Sequence, residues 1–190
     1  MGIRCNLPFL ILLLSIFSPV SHGSAREPIV IAGGDIQGVY FQIAGEFCRL
    51  ASLGDPDLSC SVMPSEGAAE NLQLLREGVV NMALVQGDLL YWAQRGEGPY
   101  QGQAIPQLRS IMATHAEPFT LIVRQNQVAE ISALQGKPVY LGAENSGSRT
   151  TATIVLKNFG LPDINKQEVA VEDPAAALCE QKIDAWALVI

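Results

Sequence analysis

The chain has 190 residues, 48% of them hydrophobic, which is enough for one ordinary domain or for two small lobes that share a cleft. Its 19 Asp and Glu residues outnumber its 12 Lys and Arg residues, and the formal charge of −7 at pH 7 disfavours nucleic acid and anionic membranes as partners. Beyond the first 23 residues no run approaches the ~18 consecutive apolar residues of a membrane helix, so we expect no membrane-spanning helix in that part of the chain.

The first 23 residues predict a secretory signal peptide. Arg4 carries their only charge, and residues 7–20 are almost continuously apolar yet fewer than the ~20 that span a bilayer. Small residues follow, so we expect cleavage after Gly23 or Ala25. The sequence therefore predicts a periplasmic protein, with an uncleaved membrane anchor as the alternative.

Three cysteines lie beyond this segment: Cys48, Cys60 and Cys179. In an oxidising compartment an odd number usually means one pair and one leftover thiol. The preferred disulfide is Cys48 with Cys60, which would join the end of a helix to the strand that follows it. Closing so short a loop contributes about 3 kcal/mol. The alternative is that both are small, buried apolar residues.

Strands and helices alternate along the first half of the mature chain. Residues 29–32 predict a strand, and apolar residues at helical spacing from Tyr40 to Leu50 predict the helix that follows. Asp88 is expected to cap a later helix, and Gly96 is expected to end it. The same pattern predicts strands at 58–63 and 82–85 and helices at 68–78 and 88–95.

The alternation continues beyond a loop rich in Gly and Pro. Strands are predicted at 111–113 and 119–123, and the polar turn at 125–127 marks the expected lobe boundary. The prediction is thus an α/β protein with lobes at 24–125 and 126–190 and largely parallel sheets. The second lobe has predicted strands at 139–143, 169–171 and 185–190 and helices at 148–159 and 176–183. Because its last strand is apolar and has no polar tail, we expect an incomplete second lobe and a fragment or truncated product.

The sequence lacks the common catalytic motifs. HExxH, CxxC, GxSxG and GxxxxGK do not occur, so we expect no metal, no cofactor and no enzyme activity. His115 is the single histidine after the leader, and Glu117 lies near it. These two could form an acid and base pair in a secreted enzyme, but a hydrogen-bonded loop histidine is the simpler interpretation.

Three glycine-containing turns, each between a strand and a helix, are the candidate binding segments. Ligands of open α/β sheets bind at such turns. In the first turn, Gly38 leaves backbone N–H groups open at a helix start, where an anion is favoured. Tyr40 either packs on that helix's buried face or reaches the cleft with its hydroxyl. The turns are residues 34–40, 65–71 and 142–151.

The third turn carries the densest set of polar groups. Ser146 and Ser148 supply hydroxyls, Gly147 exposes backbone, and Arg149 supplies a planar fork suited to a carboxylate. Two or three charge-assisted hydrogen bonds approach the ~8 kcal/mol of micromolar affinity. The alternative is a well-capped helix with Arg149 in a surface salt bridge. Gln86 closes the third strand and could face the same cleft.

Several different short motifs follow one another along the mature chain. Taken together, they resemble the TAXI family of solute-binding subunits of TRAP (tripartite ATP-independent periplasmic) transporters. They are Gly38-Val-Tyr40, Cys48-Arg-Leu50, the turn 67–72, Val85-Gln-Gly-Asp88, Leu134-Gln-Gly-Lys-Pro-Val139, Gly142-Ala-x-x-Ser-Gly-x-Arg149 and Lys182-Ile-Asp-Ala185. The resemblance implies a periplasmic-binding-protein-like fold with two hinged lobes. It also implies capture of a small organic anion, a carboxylate such as glutamate or 2-oxoglutarate, for delivery to membrane permease subunits.

The resemblance also implies which side chains line the cleft. In the family turn at 67–72, Ala68 stands where the family has serine, and Glu66 adds a charge unfavourable to an anion unless it is paired or turned away. Other functions remain open: a binding module without transport, such as a sensor input or surface antigen, the secreted enzyme, or a nonfunctional remnant. The implied cleft residues are Tyr40, Asn71, Gln86, Ser146, Ser148 and Arg149, with Gly38 and Gly147 contributing backbone.

Overall fold

The computed structural model describes residues 27–125, 127–164 and 168–190. The predicted signal peptide at residues 1–23 lies outside these ranges. Within them, no helix combines the length and the apolar character needed to cross a membrane. The elements are β1 (Ile29–Ala32), α1 (Val39–Gly54), β2 (Cys60–Met63), α2 (Ala68–Glu77), β3 (Met82–Ala83), α3 (Gly87–Arg95), β4 (Phe119–Val123), β5 (Val139–Tyr140), α4 (Gly147–Asn158), α5 (Pro174–Cys179) and β6 (Ala185–Val189), with 3₁₀ turns at Gly98–Tyr100 and Ile131–Leu134.

The first sheet is parallel throughout, in the order β2-β1-β3. Ile29 lies opposite Cys60 on one side of β1, and Ile31 lies opposite Met82 on the other. Helices α1 and α2 provide the crossovers that parallel strands require. Ile31 and Cys48 are buried in one apolar cluster beneath α1. The strands and helices predicted for residues 29–95 are therefore present in order, although their ends differ by a few residues.

A disulfide joins Cys48 and Cys60, the two cysteines that the sequence analysis paired. It ties α1 to the start of β2, and the two Cα atoms lie 5.2 Å apart. Cys179, at the end of α5, is exposed and carries a free thiol. The crosslink therefore lies within the first sheet and its covering helix.

The second sheet has the order β4-β6-β5 and is mixed. Strand β6 pairs antiparallel with β4, where Phe119 faces Val189, and parallel with β5, where Val139 faces Ala185. The expectation of largely parallel sheets thus fits the first sheet better than the second. An antiparallel edge strand on such a sheet is a common arrangement. Strand β4 belongs to this second sheet, although the predicted lobe boundary lies after it, at residue 125.

Two predicted strands are wrong. Residues 111–113 form no strand, and Ile111 and Met112 are 72% and 63% exposed. Residues 169–171 also form no strand; the neighbouring Glu168 makes only an isolated bridge to Val139. Apolar, β-branched composition favours a strand, but a strand forms only where a sheet edge is available to pair with it.

Candidate functional site

The N-termini of α2 and α4 meet between the two sheets. The backbone N–H of Glu70 donates to the carbonyl of Asn145 at 3.1 Å, and Asn145 Nδ2 donates to Glu66 Oε2 at 2.6 Å. Gly67, the N-cap of α2, lies beside Ser146 and has a φ of +130°, a conformation that residues with a side chain rarely adopt. Glu66, the charge expected to disfavour an anion, is therefore hydrogen-bonded within the protein.

A cavity of about 330 Å³ lies beside this contact. Its walls come from the carboxyl end of β3 and the start of α3, from the segment that leads into β4, and from α4 and β6. It therefore receives side chains from elements of both sheets. A carboxyl-end position is where ligands of open α/β sheets bind. The lining residues are Gln86, Gly87, Asp88, His115, Glu117, Phe119, Thr151 and Val189.

Asp88 joins the two sides of the cavity. Its Oδ2 accepts a hydrogen bond from the Thr151 hydroxyl of α4 at 2.6 Å, and its Oδ1 accepts from the backbone N–H of Leu89 at 2.8 Å. The prediction that Asp88 is the N-cap of its helix is wrong, because Gln86 occupies that position. Asp88 lies one residue inside the helix, so its carboxylate is free to reach across to α4.

Glu117 makes the second link across the cavity region. The Tyr40 hydroxyl, on α1, donates to Glu117 Oε2 at 2.8 Å. His115 Nε2 lies 3.6 Å from Glu117 Oε1, a contact that becomes an ion pair when the imidazole is protonated. The Tyr40 and His115 rings meet edge to face, with centroids 6.2 Å apart. The Tyr40 ring packs against the buried cluster that includes Leu72 and Leu89, while its hydroxyl bonds Glu117, so the residue has features of both placements that the sequence left open.

Burial governs the protonation of this pair. It raises the pKa of Tyr40 above its ordinary value, and the neighbouring Glu117 carboxylate raises it further. Burial also raises the pKa of Glu117, and the charge of Asp88 adds to that rise. The Tyr40 hydrogen bond and the charge of His115 oppose the rise without cancelling it. Glu117 is therefore a carboxylate held in surroundings that disfavour its negative charge.

Gln86 is almost fully enclosed, with 5% of its surface exposed. Its Oε1 has no hydrogen-bond partner in the described part of the chain. That oxygen lies over Gly147, where an added Cβ would come within 1.4 Å of it and within 3.0 Å of the Ala68 Cβ. Close packing of this kind explains why position 147 bears no side chain.

The turn before α4 uses its polar groups within the protein. Ser146 is the N-cap of α4, and its Oγ accepts from the backbone N–H of Arg149 at 3.1 Å. The Ser148 hydroxyl accepts from the backbone N–H of Val189 in β6 at 3.0 Å. The Arg149 guanidinium forms an ion pair with Glu168, which opposes the rise in the Glu168 pKa that burial causes. These contacts match the alternative of a well-capped helix.

Asn71 and Gly38 also serve the fold. Asn71 is buried; its Nδ2 donates to the carbonyls of Ala32 at 3.3 Å and Leu84 at 2.8 Å, and its Oδ1 accepts from the Ser65 hydroxyl at 2.5 Å. Gly38 is the N-cap of α1. Of the predicted cleft residues, the cavity lining therefore includes Gln86, and Tyr40 reaches it through Glu117.

The charge of the cavity is acidic. Its described lining contains two carboxylates, Asp88 and Glu117, and one histidine, but no lysine or arginine. The chain as described has no group of three or more His, Cys, Asp or Glu side chains that could hold a metal ion. The arrangement offers hydrogen-bond acceptors to whatever occupies it.

Comparison with known proteins agrees with the architecture. Residues 31–189 match the profile of the NMT1-like family. This chain belongs to the NMT1-like family. One solved structure similar to it is the periplasmic aliphatic sulphonate binding protein SsuA from Escherichia coli, which is 18% identical and has a TM-score of 0.50 over 86% of this chain and 54% of its own.

A second similar structure is the alkanesulfonate-binding protein SsuA from Xanthomonas axonopodis pv. citri bound to MOPS. It is 18% identical, with a TM-score of 0.53 over 87% of this chain and 56% of its own. The NMT1-like chain therefore spans just over half the length of either protein. These likenesses confirm the predicted periplasmic-binding-protein-like α/β fold.

Four residues that line the cavity of this NMT1-like protein were given no role from the sequence: Gly87, Phe119, Thr151 and Val189. Of these, Thr151 does lie in the candidate turn 142–151. Thr151 follows Gly147 by one helical turn, so the two lie on the same face of α4. That spacing was a usable signal. Phe119 and Val189 face each other across the β4 and β6 pairing, which no local pattern reveals.

Proposed function

We propose that this protein is an extracytoplasmic solute-binding receptor that captures a small organic solute and delivers it to the membrane permease subunits of a TRAP-type transporter. The observation that carries the proposal is the cavity of about 330 Å³ at the carboxyl end of β3, walled by elements of both sheets. Membership of the NMT1-like family and the fold of periplasmic binding proteins support it. The TRAP-type partner rests on the motif resemblance.

A hydrogen bond between the two lobes supports a mechanism of capture by closure. Thr151 donates to Asp88 and joins α4 to α3, whereas the bond from Tyr40 to Glu117 joins α1 to the segment that connects the lobes. Rotation of one lobe about this segment would break the bond between Thr151 and Asp88 and open the cavity. Closure over a solute would exclude water and strengthen its polar contacts. The proposed lobes are residues 24–125 and 126–190, with β4 counted in the second sheet.

We propose a carboxylate-bearing solute, the class that the resemblance implies. Gly87 begins α3 and lines the cavity, and the N-terminus of a helix favours an anion. The names of the two similar structures refer to sulphonate and alkanesulfonate, which are also organic anions. Arg149 could bind such an anion only by giving up Glu168. Ser146, Ser148 and Arg149 therefore contribute less to this proposal than the cavity does.

The periplasm is the proposed location. The predicted leader at residues 1–23 and the disulfide between Cys48 and Cys60 support an oxidising compartment outside the cytoplasm. Binding without turnover is the proposed activity. His115 and Glu117 do face the cavity, but the hydroxyl in its described lining, that of Thr151, donates to Asp88 and not to His115.

The test is the melting temperature of the protein with a panel of dicarboxylates, keto acids, amino acids and alkanesulfonates. We expect a cooperative transition that one class of solute raises, because selective binding to the native state stabilises it by mass action. An exposed-site variant, Glu97→Gln, serves as a control and should give the same shift. A cooperative transition that no solute moves would contradict the receptor function.

A further inference from the structure

We propose that the solute held in this cavity presents a protonated nitrogen to Asp88, Glu117 and Gln86. The inference rests on the receptor function proposed above and names a chemical group that its ligand must carry. Together with the carboxylate proposed above, it describes a zwitterionic solute.

The charge of the cavity lining favours a cationic group. Asp88 and Glu117 both line the cavity, and no lysine or arginine is among its described lining residues. A solute with only negative charge would meet two carboxylates at close range in partly desolvated surroundings, where repulsion is stronger than in water. A protonated nitrogen converts that repulsion into attraction.

The two carboxylates of the cavity can accept more hydrogen bonds than the protein supplies to them. Each carboxylate has about four acceptor positions. The side-chain donor to Asp88 is Thr151, and that to Glu117 is Tyr40. Glu117 Oε1 faces His115 at 3.6 Å, which is longer than a hydrogen bond. Lone pairs on both carboxylates therefore remain for donors that a solute brings.

Gln86 provides an observation that does not depend on the two carboxylates. Gln86 lines the same cavity, is 5% exposed, and has an Oε1 without a partner in the described chain. Buried acceptors in native proteins nearly always have a donor. An ammonium group carries three N–H donors, and the Gln86 oxygen, which now lies against Gly147, would meet one of them when its side chain rotates into the cavity.

The raised pKa of Glu117 fits the same picture. Burial and the charge of Asp88 disfavour the ionised carboxylate when the cavity holds no cation. A bound ammonium group would favour the ionised form. The other groups that face Glu117 are the Tyr40 hydroxyl and His115, and both are already engaged with it.

The experiment compares solutes that share a carbon skeleton and differ in the nitrogen. Binding to the full chain is measured by calorimetry at pH 7.5 for butylamine, 4-aminobutyrate and butyrate, for glutamate, glutarate and 2-oxoglutarate, and for benzylamine and benzoate. We expect the amine-bearing member of at least one series to bind about tenfold or more tightly than its nitrogen-free relatives, the gain of one charge-assisted hydrogen bond. Equal or tighter binding of the nitrogen-free member in every series overturns this inference and leaves the receptor function standing.

Variants connect the preference to the cavity. Asp88→Asn and Glu117→Gln keep the shape of each side chain and remove its charge. Each should weaken amine binding by about tenfold and should strengthen the binding of nitrogen-free acids, because it removes a repulsion. The matched control, Glu97→Gln, removes an exposed carboxylate elsewhere and should leave binding unchanged. An amine preference that survives in both cavity variants overturns the inference.

Two further outcomes are decisive. If none of the solutes binds while the protein unfolds cooperatively, the receptor function fails together with this inference. If calcium or magnesium chloride competes fully with the amine, and the ion binds more tightly than any solute, the cavity is a cation site and the inference fails alone.

Discussion

Two polar regions of this molecule lie close together and behave differently. In the turn Ser146–Arg149, the polar side chains bind partners within the protein. The Ser146 hydroxyl caps α4, the Ser148 hydroxyl bonds β6, and the Arg149 guanidinium pairs with Glu168. The cavity beside it keeps an unpartnered oxygen on Gln86, within the described chain, and two carboxylates with spare acceptor positions. Density of polar side chains therefore does not locate a site. What locates it is hydrogen-bonding capacity that the fold leaves unused.

The largest expected effect is on stability, and it comes from Asn71, whose side chain makes its hydrogen bonds within the protein. Asn71→Ala would leave the carbonyls of Ala32 and Leu84 without their side-chain donor in a buried position. Each lost buried partner costs about 1–3 kcal/mol, so we expect the free energy of unfolding to fall by about 3 kcal/mol. Urea denaturation measures it. Gln73→Ala, on the exposed side of the same helix, should change it by less than about 0.5 kcal/mol, and equal losses would contradict the distinction.

The next effect separates stability from binding. Arg149→Ala leaves the Glu168 carboxylate, whose side chain is 11% exposed, without its cation. Because Arg149 itself is 33% exposed, the loss should be well below that of a buried pair, about 1–2 kcal/mol. Affinity for a bound solute should stay within about twofold. A tenfold loss of affinity in calorimetry would instead return Arg149 to the ligand, as the sequence predicted.

A smaller effect tests the contact between the two regions. Gly147→Ala would drive its Cβ against Gln86 Oε1 and the Ala68 side chain, so Gln86 must move. We expect a loss of about 1 kcal/mol and a severalfold loss of solute affinity. Gly87→Ala is the matched control for stability: it also begins a helix, and a Cβ there meets no described atom within 4 Å. Equal melting temperatures for the two variants would show that the contact at Gly147 is loose.

The smallest expected effect is a pH dependence of the stability difference between the wild type and a Glu117 variant. The pKa of Glu117 is raised above its ordinary value of 4.5, so the folded protein holds this proton more tightly than the unfolded chain does. Its stabilising contribution is fully present below pH 4.5 and is lost as the pH rises through the folded pKa. Glu117→Gln should therefore gain stability relative to the wild type as the pH rises, with the difference smallest below pH 4.5. Denaturation curves at pH 4 and pH 7 that differ equally between the two proteins would contradict this.

Much of the first sheet could be predicted from the sequence because its signals are local. The alternation of strands and helices and the glycine at the end of α2 each depend on neighbouring residues. The preferred pairing of Cys48 with Cys60 also joins residues that are only 12 apart in the chain, although their spacing alone did not decide it. The second sheet depends on pairing between distant segments, so the antiparallel direction of β4 had no local signal.

The candidate site was only partly predictable for the same reason. Val85-Gln-Gly-Asp88 marked the carboxyl end of a strand, which identified Gln86. Whether Gln86 or Asp88 caps the helix depends on where the first turn begins, and a carboxylate one residue inside the helix gains a partner only because Thr151 faces it from α4. Arg149 and Ser148 appear available in the sequence because Glu168 and Val189 meet them only after folding.

The central place of β6 has a consequence for how the protein is made. Residues 185–189 leave the ribosome after β4 and β5, yet both of those strands depend on β6 for their ladder partners. Until it emerges, that half of the polypeptide has no sheet to join, whereas the first sheet has its strands within residues 29–83. Late arrival of a central strand delays collapse, because non-local pairing must wait for the chain that supplies it. For a protein that is exported as proposed above, this delay would keep the chain threadable while synthesis continues.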